Sequence, residues 1–276
     1  MAVEWPLLLF TIIAGAGAGI LAFAGLGEFL GASRKSRFVA AIISLTLLVV
    51  GGLASLPHLE NPANFMSAAT NLFSFSPISL ELIFLGLCAI VAIVYLVVVN
   101  REGSASKTVG IIGIVCGVVF AYVSGHGYEV IAVRAAWATP ALTLSYLLSA
   151  LTLGGFLFLT MQVALKDDAT CAKKLVLVVL VVAALQTVLY VVYAATAPLE
   201  GAAMIMWLGG VVVGGVIAVV AGLLVWMKNM GTMVYLGALA ALIGGISFRV
   251  VMWLAAAPYI PGFFDLAAQN GGLFPF

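Results

Sequence analysis

The chain has 276 residues, of which 65% are hydrophobic and only 8% are charged, and its formal net charge is +1. A soluble domain carries roughly 25% charged residues, so this composition excludes a soluble globular protein. The near-neutral charge also excludes a nucleic-acid-binding protein, which would need a basic surface.

Apolar segments of about 20 residues, the length needed to cross a hydrocarbon core, recur along the whole chain. They predict an all-α integral membrane protein, a bundle of eight transmembrane helices that form a single domain over 1–276. A β-barrel would instead show short alternating segments. The predicted helices cover roughly 5–32, 38–56, 78–99, 109–125, 140–165, 174–195, 204–227 and 233–255.

The first span begins in "MAVEWPLLLF", which has no basic residues before its apolar run. This run is also too long for a signal peptide, so we interpret it as an uncleaved span. Its "GAGAG" stretch resembles a dinucleotide-binding loop, but that loop must follow a soluble strand. Small residues four apart predict close helix packing instead, and they recur at Gly15/Gly19, Gly210/Gly214 and Gly237/Ala241/Gly245.

A long semi-polar segment, "LPHLENPANFMSAATNLFSFSPISLEL", separates the second and third spans. His58 lies at its start, where a side chain that titrates near neutral pH could take or give a proton at the membrane boundary. The alternative is an interfacial histidine that only hydrogen-bonds to the backbone. Glu81 follows near the start of the third span.

The second histidine, His126 in "SGHGYE", is predicted at the end of the fourth span, on the same side as His58. Two such histidines raise the question of a haem with two axial ligands, but both lie at span ends beside Gly or Pro, which disfavours one. The cysteines are scattered, two in spans and one in a loop, without a C-x-x-C motif. The three cysteines are Cys88, Cys116 and Cys171. The chain is therefore predicted to hold no iron–sulfur cluster or structural zinc of its own.

The last span carries a charged residue, Arg249, in "ISFRVVMW". A charge at membrane depth is costly and usually paired or functional. We predict that Arg249 lies in the outer half of the membrane, where it meets Glu81 or Glu129, the latter just beyond the fourth span. A hydrogen bond to a quinone carbonyl and a purely structural ion pair both remain open.

Basic residues are strongly biased to one side of the membrane, with nine of the 11 in alternate loops. Because cytoplasmic loops are enriched in Lys and Arg, both termini and the His58 segment are predicted to lie outside. The outer segments are also longer than minimal connectors, which suggests a docking surface; alternatively they only cover the bundle end. The segments are 57–77, 126–139 and 256–276, and the nine basic residues are Arg34, Lys35, Arg37, Arg101, Lys107, Lys166, Lys173, Lys174 and Lys228.

Several stretches resemble the DmsC family, the membrane anchor subunits of anaerobic dimethyl sulfoxide reductases. The segment after the second span matches that family's pattern at His58-Leu59, Pro62, Asn71, Ser79 and Glu81. The start "EWPLLLFTII", the region "SGHGYEVIAVRAAWATPALTLSYLLSALTLGG" and the last-span stretch "ISFRVVMWL" are also similar. The resemblance covers nearly the whole chain.

The resemblance implies an anchor in the cytoplasmic membrane that holds no permanent cofactor. It would bind and oxidise menaquinol and pass the electrons to a four-cluster iron–sulfur subunit, which feeds a molybdopterin catalytic subunit. Two sets of residues are predicted on this basis. The quinol-binding and proton-relay set is His58, Glu81, Arg249, Glu129 and Trp137, and the partner-docking set is Glu60, Asn64, Asn71 and Arg134.

Two other functions remain open. A multi-span transporter or permease should show internal repeats and broken spans with polar sites at the membrane midplane. The sequence has no convincing half-to-half similarity, and the middles of its spans are nearly free of charge. An anchor without a redox role is the third possibility.

Overall fold

The computed structural model describes residues 3–59, 70–101, 104–131, 134–167 and 169–255. These residues form an all-helical bundle, and eight of their helices are long and apolar enough to cross a membrane, as predicted. The helices are α1 (Trp5–Leu30), α2 (Arg34–Ala54), α3 (Pro77–Val98), α4 (Ser104–Ile131), α5 (Pro140–Ala164), α6 (Ala169–Thr196), α7 (Glu200–Lys228) and α8 (Met233–Leu254).

Local sequence signals set several helix ends. Ser33 caps α2 by accepting a hydrogen bond from the backbone N–H of Ser36, and Ser76 caps α3 in the same way. Proline begins α3 and α5, where its missing N–H costs nothing. Gly31 ends α1 at a φ of 84°, a left-handed conformation that favours glycine.

Four helices, α2, α4, α6 and α7, are longer than predicted, α4 and α6 by the most. α4 was expected over 109–125 but continues to Ile131, so His126 and Glu129 lie within the helix. The helix continues through Gly125. A β-carbon at this position would lie only 2.7 Å from the Tyr146 β-carbon, so the glycine allows α4 to pack closely against α5. The predicted outer segment 126–139 therefore shortens to 132–139. α6 begins at Ala169, which places Cys171, predicted in a loop, in its first turn.

α7 is not a uniform α-helix, since Met206–Ile217 forms twelve residues of π-helix. Such stretches are rare and usually much shorter. Four glycines in "GGVVVGG" leave this stretch without side chains over much of its surface. It packs closely on α6 and α8: a β-carbon on Gly214 would lie 2.3 Å from the Gly244 Cα atom.

The helices form two groups of four, α1–α4 and α5–α8, that meet through α1, α4 and α5. The most apolar windows of α1 and α5 are 83% and 72% buried inside the protein, against 22% for α3. α1 and α5 thus form the centre of the bundle and the other helices surround it. Gly19 of α1 and Gly154 of α5 make this crossing so close that their backbones touch.

The two ends of the bundle differ in their polar residues. The His58 end carries His58, Glu4, Glu129 and the connection between α4 and α5. The Arg37 end carries a partly buried ion pair between Arg37 and Glu28, and Glu28 also accepts hydrogen bonds from Tyr95 and Ser106. This cluster joins α1, α2, α3 and α4, and its full set of partners makes it a structural cluster.

Candidate functional site

A cavity of about 290 Å³ opens at the His58 end, between α1, the turn after α2, α3 and α4. This volume lies near the lower bound of roughly 300–1,000 Å³ for small-molecule sites, and the mostly apolar wall with a few polar groups is typical of them. Its polar side chains are Ser55, His58, Glu81, Ser124 and Tyr128, and its apolar wall includes Leu7, Phe10, Ile78 and Leu82.

Glu81 is the acidic residue of the cavity. The Ser76 cap and Pro77 fix the start of α3, so Glu81 projects one turn into the membrane-spanning segment. Its Oε1 atom and the Ser124 hydroxyl are both buried and face each other, yet neither makes a well-formed hydrogen bond within the described residues. A buried carboxylate oxygen without a partner is costly, and a ligand with a hydroxyl group would satisfy it.

His58 lies at the mouth of the cavity, on the short 3₁₀ turn Leu56–Leu59 that follows α2. Its backbone N–H donates to the carbonyl of Ser55, which fixes the turn. The side chain is 43% exposed, and its Nδ1 atom lies 3.4 Å from Oε2 of Glu4. The imidazole therefore contacts both the cavity and a carboxylate at the surface.

Tyr128 joins the cavity to an aromatic cluster behind it. Its ring stacks on Tyr146, with 5.6 Å between ring centroids, and meets the edges of Trp137 and Trp253 at 5.1 and 5.9 Å. Trp137 was predicted to bind quinol. It does not line the cavity; it is buried behind Tyr128, and its indole N–H donates to the carbonyl of Met252.

Arg249 lies inside the bundle and is only 2% exposed, so it does not face lipid. The predicted ion pair with Glu81 or Glu129 is wrong. The guanidinium instead donates to Oγ1 and the carbonyl of Thr11, to the hydroxyl of Ser149 and to the carbonyl of Gly245. It also lies 4.4 Å from the centroid of the Tyr146 ring. Neutral acceptors and a ring face satisfy this cation, and it does not line the cavity.

Arg134 was predicted to contact a partner, but it is 4% exposed and forms part of the bundle end. Its guanidinium donates to the carbonyl of Trp253 and packs against the rings of Trp137 and Trp253 at 5.3 and 5.5 Å. Burial lowers the pKa of this guanidinium, although an arginine stays charged at neutral pH. Arg134 and Trp137 together hold the last carbonyls of α8.

Glu129, predicted in the proton relay, also lies outside the cavity. Its carboxylate accepts a hydrogen bond from Thr143 and lies 3.6 Å from Nδ1 of His126. The His126 ring stacks on Tyr122. His126 and Glu129 both lie on α4, and the hydrogen bond from Thr143 to Glu129 links this helix to the start of α5. This second histidine–carboxylate pair is separate from the cavity.

Of the remaining docking residues, Asn71 lies on the exposed side of the turn before α3, where its carbonyl accepts a hydrogen bond from Ser79. Glu60 and Asn64, together with the tail 256–276, lie outside the described residues.

Four polar residues of the site were missed from the sequence: Ser55, Ser124, Tyr128 and Glu4. Ser124 and Tyr128 are four positions apart, so on a helix they share a face. Ending the helix at 125 concealed this spacing. Glu4 gave no signal, because its proximity to His58 depends on how α1 packs against the end of α2.

We expect Arg249→Met to destabilise the protein by at least about 3 kcal/mol. It removes four charge-assisted hydrogen bonds, each contributing about 1.5–3 kcal/mol, and this loss outweighs the relief of burying a charge in the membrane, about 3 kcal/mol. The measurement is thermal unfolding of the detergent-solubilised protein. Thr11→Val should lose most of its effect in the Arg249→Met background, whereas coupling between Arg249 and Glu81 would contradict the observed contacts.

The family model described as "DMSO reductase anchor subunit (DmsC)" matches residues 1–206 of the chain. A search of curated proteins found no match. The matched region contains every residue of the cavity wall.

Proposed function

The chain belongs to the DmsC family of dimethyl sulfoxide reductase anchor subunits, and from this premise we propose that it oxidises menaquinol in the cavity at the His58 end. As a member of that family it is a multi-pass membrane anchor of a complex that contains catalytic and electron-transfer subunits. The proposal adds that electrons pass from menaquinol to an iron–sulfur subunit with four clusters, and from there to a molybdopterin subunit. The cytoplasmic membrane, with both termini outside, is the proposed location.

The observation that carries the proposal is the buried, unpartnered Glu81 oxygen in an otherwise apolar cavity. A quinol head group is a flat apolar ring with a hydroxyl on either side. Its ring suits the wall formed by Phe10, Ile78 and Leu82, and a hydroxyl can donate to Glu81. The second hydroxyl would then face His58, the other proton-accepting side chain of the cavity.

The oxidation of a quinol releases two electrons and two protons. Glu81 and His58 each accept one proton as the two O–H bonds break, and the iron–sulfur subunit would take up the two electrons. The Ser124 hydroxyl faces the Glu81 carboxylate and would orient it once quinol is bound, and the apolar wall excludes water. Tyr128 holds one wall in place through its stacking on Tyr146.

Because electrons must leave near the cavity, we place the docking surface of the iron–sulfur subunit at the His58 end. Phe73 and Phe75, on the turn before α3, are 86% and 64% exposed there. Exposed aromatic side chains are enriched at protein interfaces. The turn after α2, Asn71 and the tail 256–276 would form the rest of this surface.

The test is purification of the complex through a tag on this chain, followed by a menaquinol-oxidation assay. We expect iron–sulfur and molybdenum proteins to co-purify and His58→Ala to lower turnover at least tenfold, since a general base contributes about 10²–10⁴. His126→Ala is the matched control, because His126 lies at the same end but not in the cavity. An assembled complex that does not oxidise quinol would identify an anchor without a redox role.

A further inference from the structure

The contact between His58 and Glu4 suggests how a proton leaves the cavity. Glu81 accepts its proton inside the membrane-spanning part of α3, but His58 lies at the boundary. The Glu4 side chain is 46% exposed and the His58 side chain is 43% exposed, with 3.4 Å between the carboxylate and Nδ1. His58 thus lies between the cavity and Glu4, and the Glu4 carboxylate beside it reaches water.

We infer that Glu4 receives the proton that His58 takes from quinol and passes it to water at the His58 end of the bundle. This inference rests on the proposed function. The Glu4 carboxylate faces Nδ1, so Nε2 is the nitrogen left for the cavity. As Nε2 takes a proton from a quinol hydroxyl, Nδ1 gives its own proton to the Glu4 carboxylate. The imidazole is then neutral with its proton on Nε2, and proton exchange with water at the exposed ring returns it to the Nδ1–H tautomer before the next quinol.

The position of Glu4 is fixed by the fold. It directly precedes α1, and its carbonyl accepts a hydrogen bond from the backbone N–H of Leu8, in the first turn of that helix. Leu7 on the same turn lines the cavity. The start of α1 therefore holds the Glu4 carboxylate next to the cavity mouth. The contact of this carboxylate with Nδ1 orients the His58 imidazole.

The other histidine–carboxylate pair at this end lacks these properties. His126 and Glu129 are 3.6 Å apart, but neither lines the cavity, and the Glu129 carboxylate is already occupied by the Thr143 hydroxyl. The ionisable groups that face His58 in the described structure are Glu4 and the cavity residues Glu81 and Tyr128.

The test compares Glu4→Gln with Glu200→Gln in the assembled complex. Glu200 is an exposed carboxylate at the same end of the bundle, so its variant removes the same charge away from the cavity. We expect Glu4→Gln to lower the maximal quinol-oxidation rate about tenfold and to alter its pH profile, with unchanged KM and unchanged affinity for a quinone-site inhibitor. Glu4→Asp should restore most of the rate, and added acetate should partly rescue Glu4→Ala but not Glu81→Gln.

Three outcomes would overturn the inference. Glu4→Gln could match Glu200→Gln at every pH, which would show that His58 gives its proton directly to water. Inhibitor affinity could fall together with the rate, which would mean that Glu4 only shapes the cavity. A wild-type complex that assembles but oxidises no quinol would remove the proposed function and this inference together, and it is recognised without any variant.

Discussion

Glu81→Gln is expected to reduce menaquinol oxidation by about 10²-fold or more while the complex still assembles. Glutamine has nearly the same size and can still contact Ser124, but it cannot accept a proton. General-base catalysis by a positioned side chain contributes about 10²–10⁴ to a rate, and the buried carboxylate is the only acid that the described structure places in the cavity wall. The loss should therefore be seen in the maximal rate.

Three measurements separate this effect from misfolding. The amount of co-purified partner should be unchanged, a quinone-site inhibitor should still bind, and Glu81→Asp should keep part of the activity. Glu200→Gln should behave as the wild type. Near-normal turnover in an assembled Glu81→Gln complex would exclude Glu81 as the proton acceptor and would leave His58 to act alone.

Gly19→Ala is expected to destabilise the bundle by about 3 kcal/mol, although alanine is the better helix former. A β-carbon on Gly19 would lie 2.3 Å from the carbonyl oxygen of Ala150, a backbone atom of α5 that no rotamer change can move. The two central helices must separate, and overpacking of this kind costs about 1–3 kcal/mol or more. The measurement is the unfolding temperature in detergent.

Gly86→Ala provides the matched control. Gly86 also lies inside a spanning helix, α3, but a β-carbon there would meet no atom within 4 Å. This substitution should leave stability unchanged or raise it slightly. Equal destabilisation by the two variants would mean that the cost comes from the loss of glycine itself and not from the α1–α5 contact.

The fold could be predicted from the sequence because the membrane imposes strict rules. A spanning segment must satisfy its own backbone hydrogen bonds and reach about 20 residues, so hydropathy alone located all eight helices. The same rules explain the error at α4. Gly125 and Gly127 mark a helix end in water, but in an apolar surrounding the helix continues, and Gly125 allows close contact with α5.

The candidate site could be predicted only in part. His58 and Glu81 were found because polar residues at span ends are conspicuous, and the cavity contains both. The partners of Arg249 could not be found in this way, because an acid is the expected partner for an arginine at membrane depth. The structure instead uses the hydroxyls of Thr11 and Ser149, common residues whose direction depends on the packing of three helices.

The contacts of α8 determine when the bundle can be completed during synthesis. Thr11 and Arg249 are 238 positions apart. Arg134 and Trp137 donate to the carbonyls of Trp253 and Met252, which are synthesised more than 100 residues later. The first helix therefore enters the bilayer long before its polar partner is made. Assembly closes late, with the insertion of the last helix: a nascent chain without α8 lacks the Arg249 contacts with Thr11 and Ser149 and the Met252 carbonyl to which Trp137 donates.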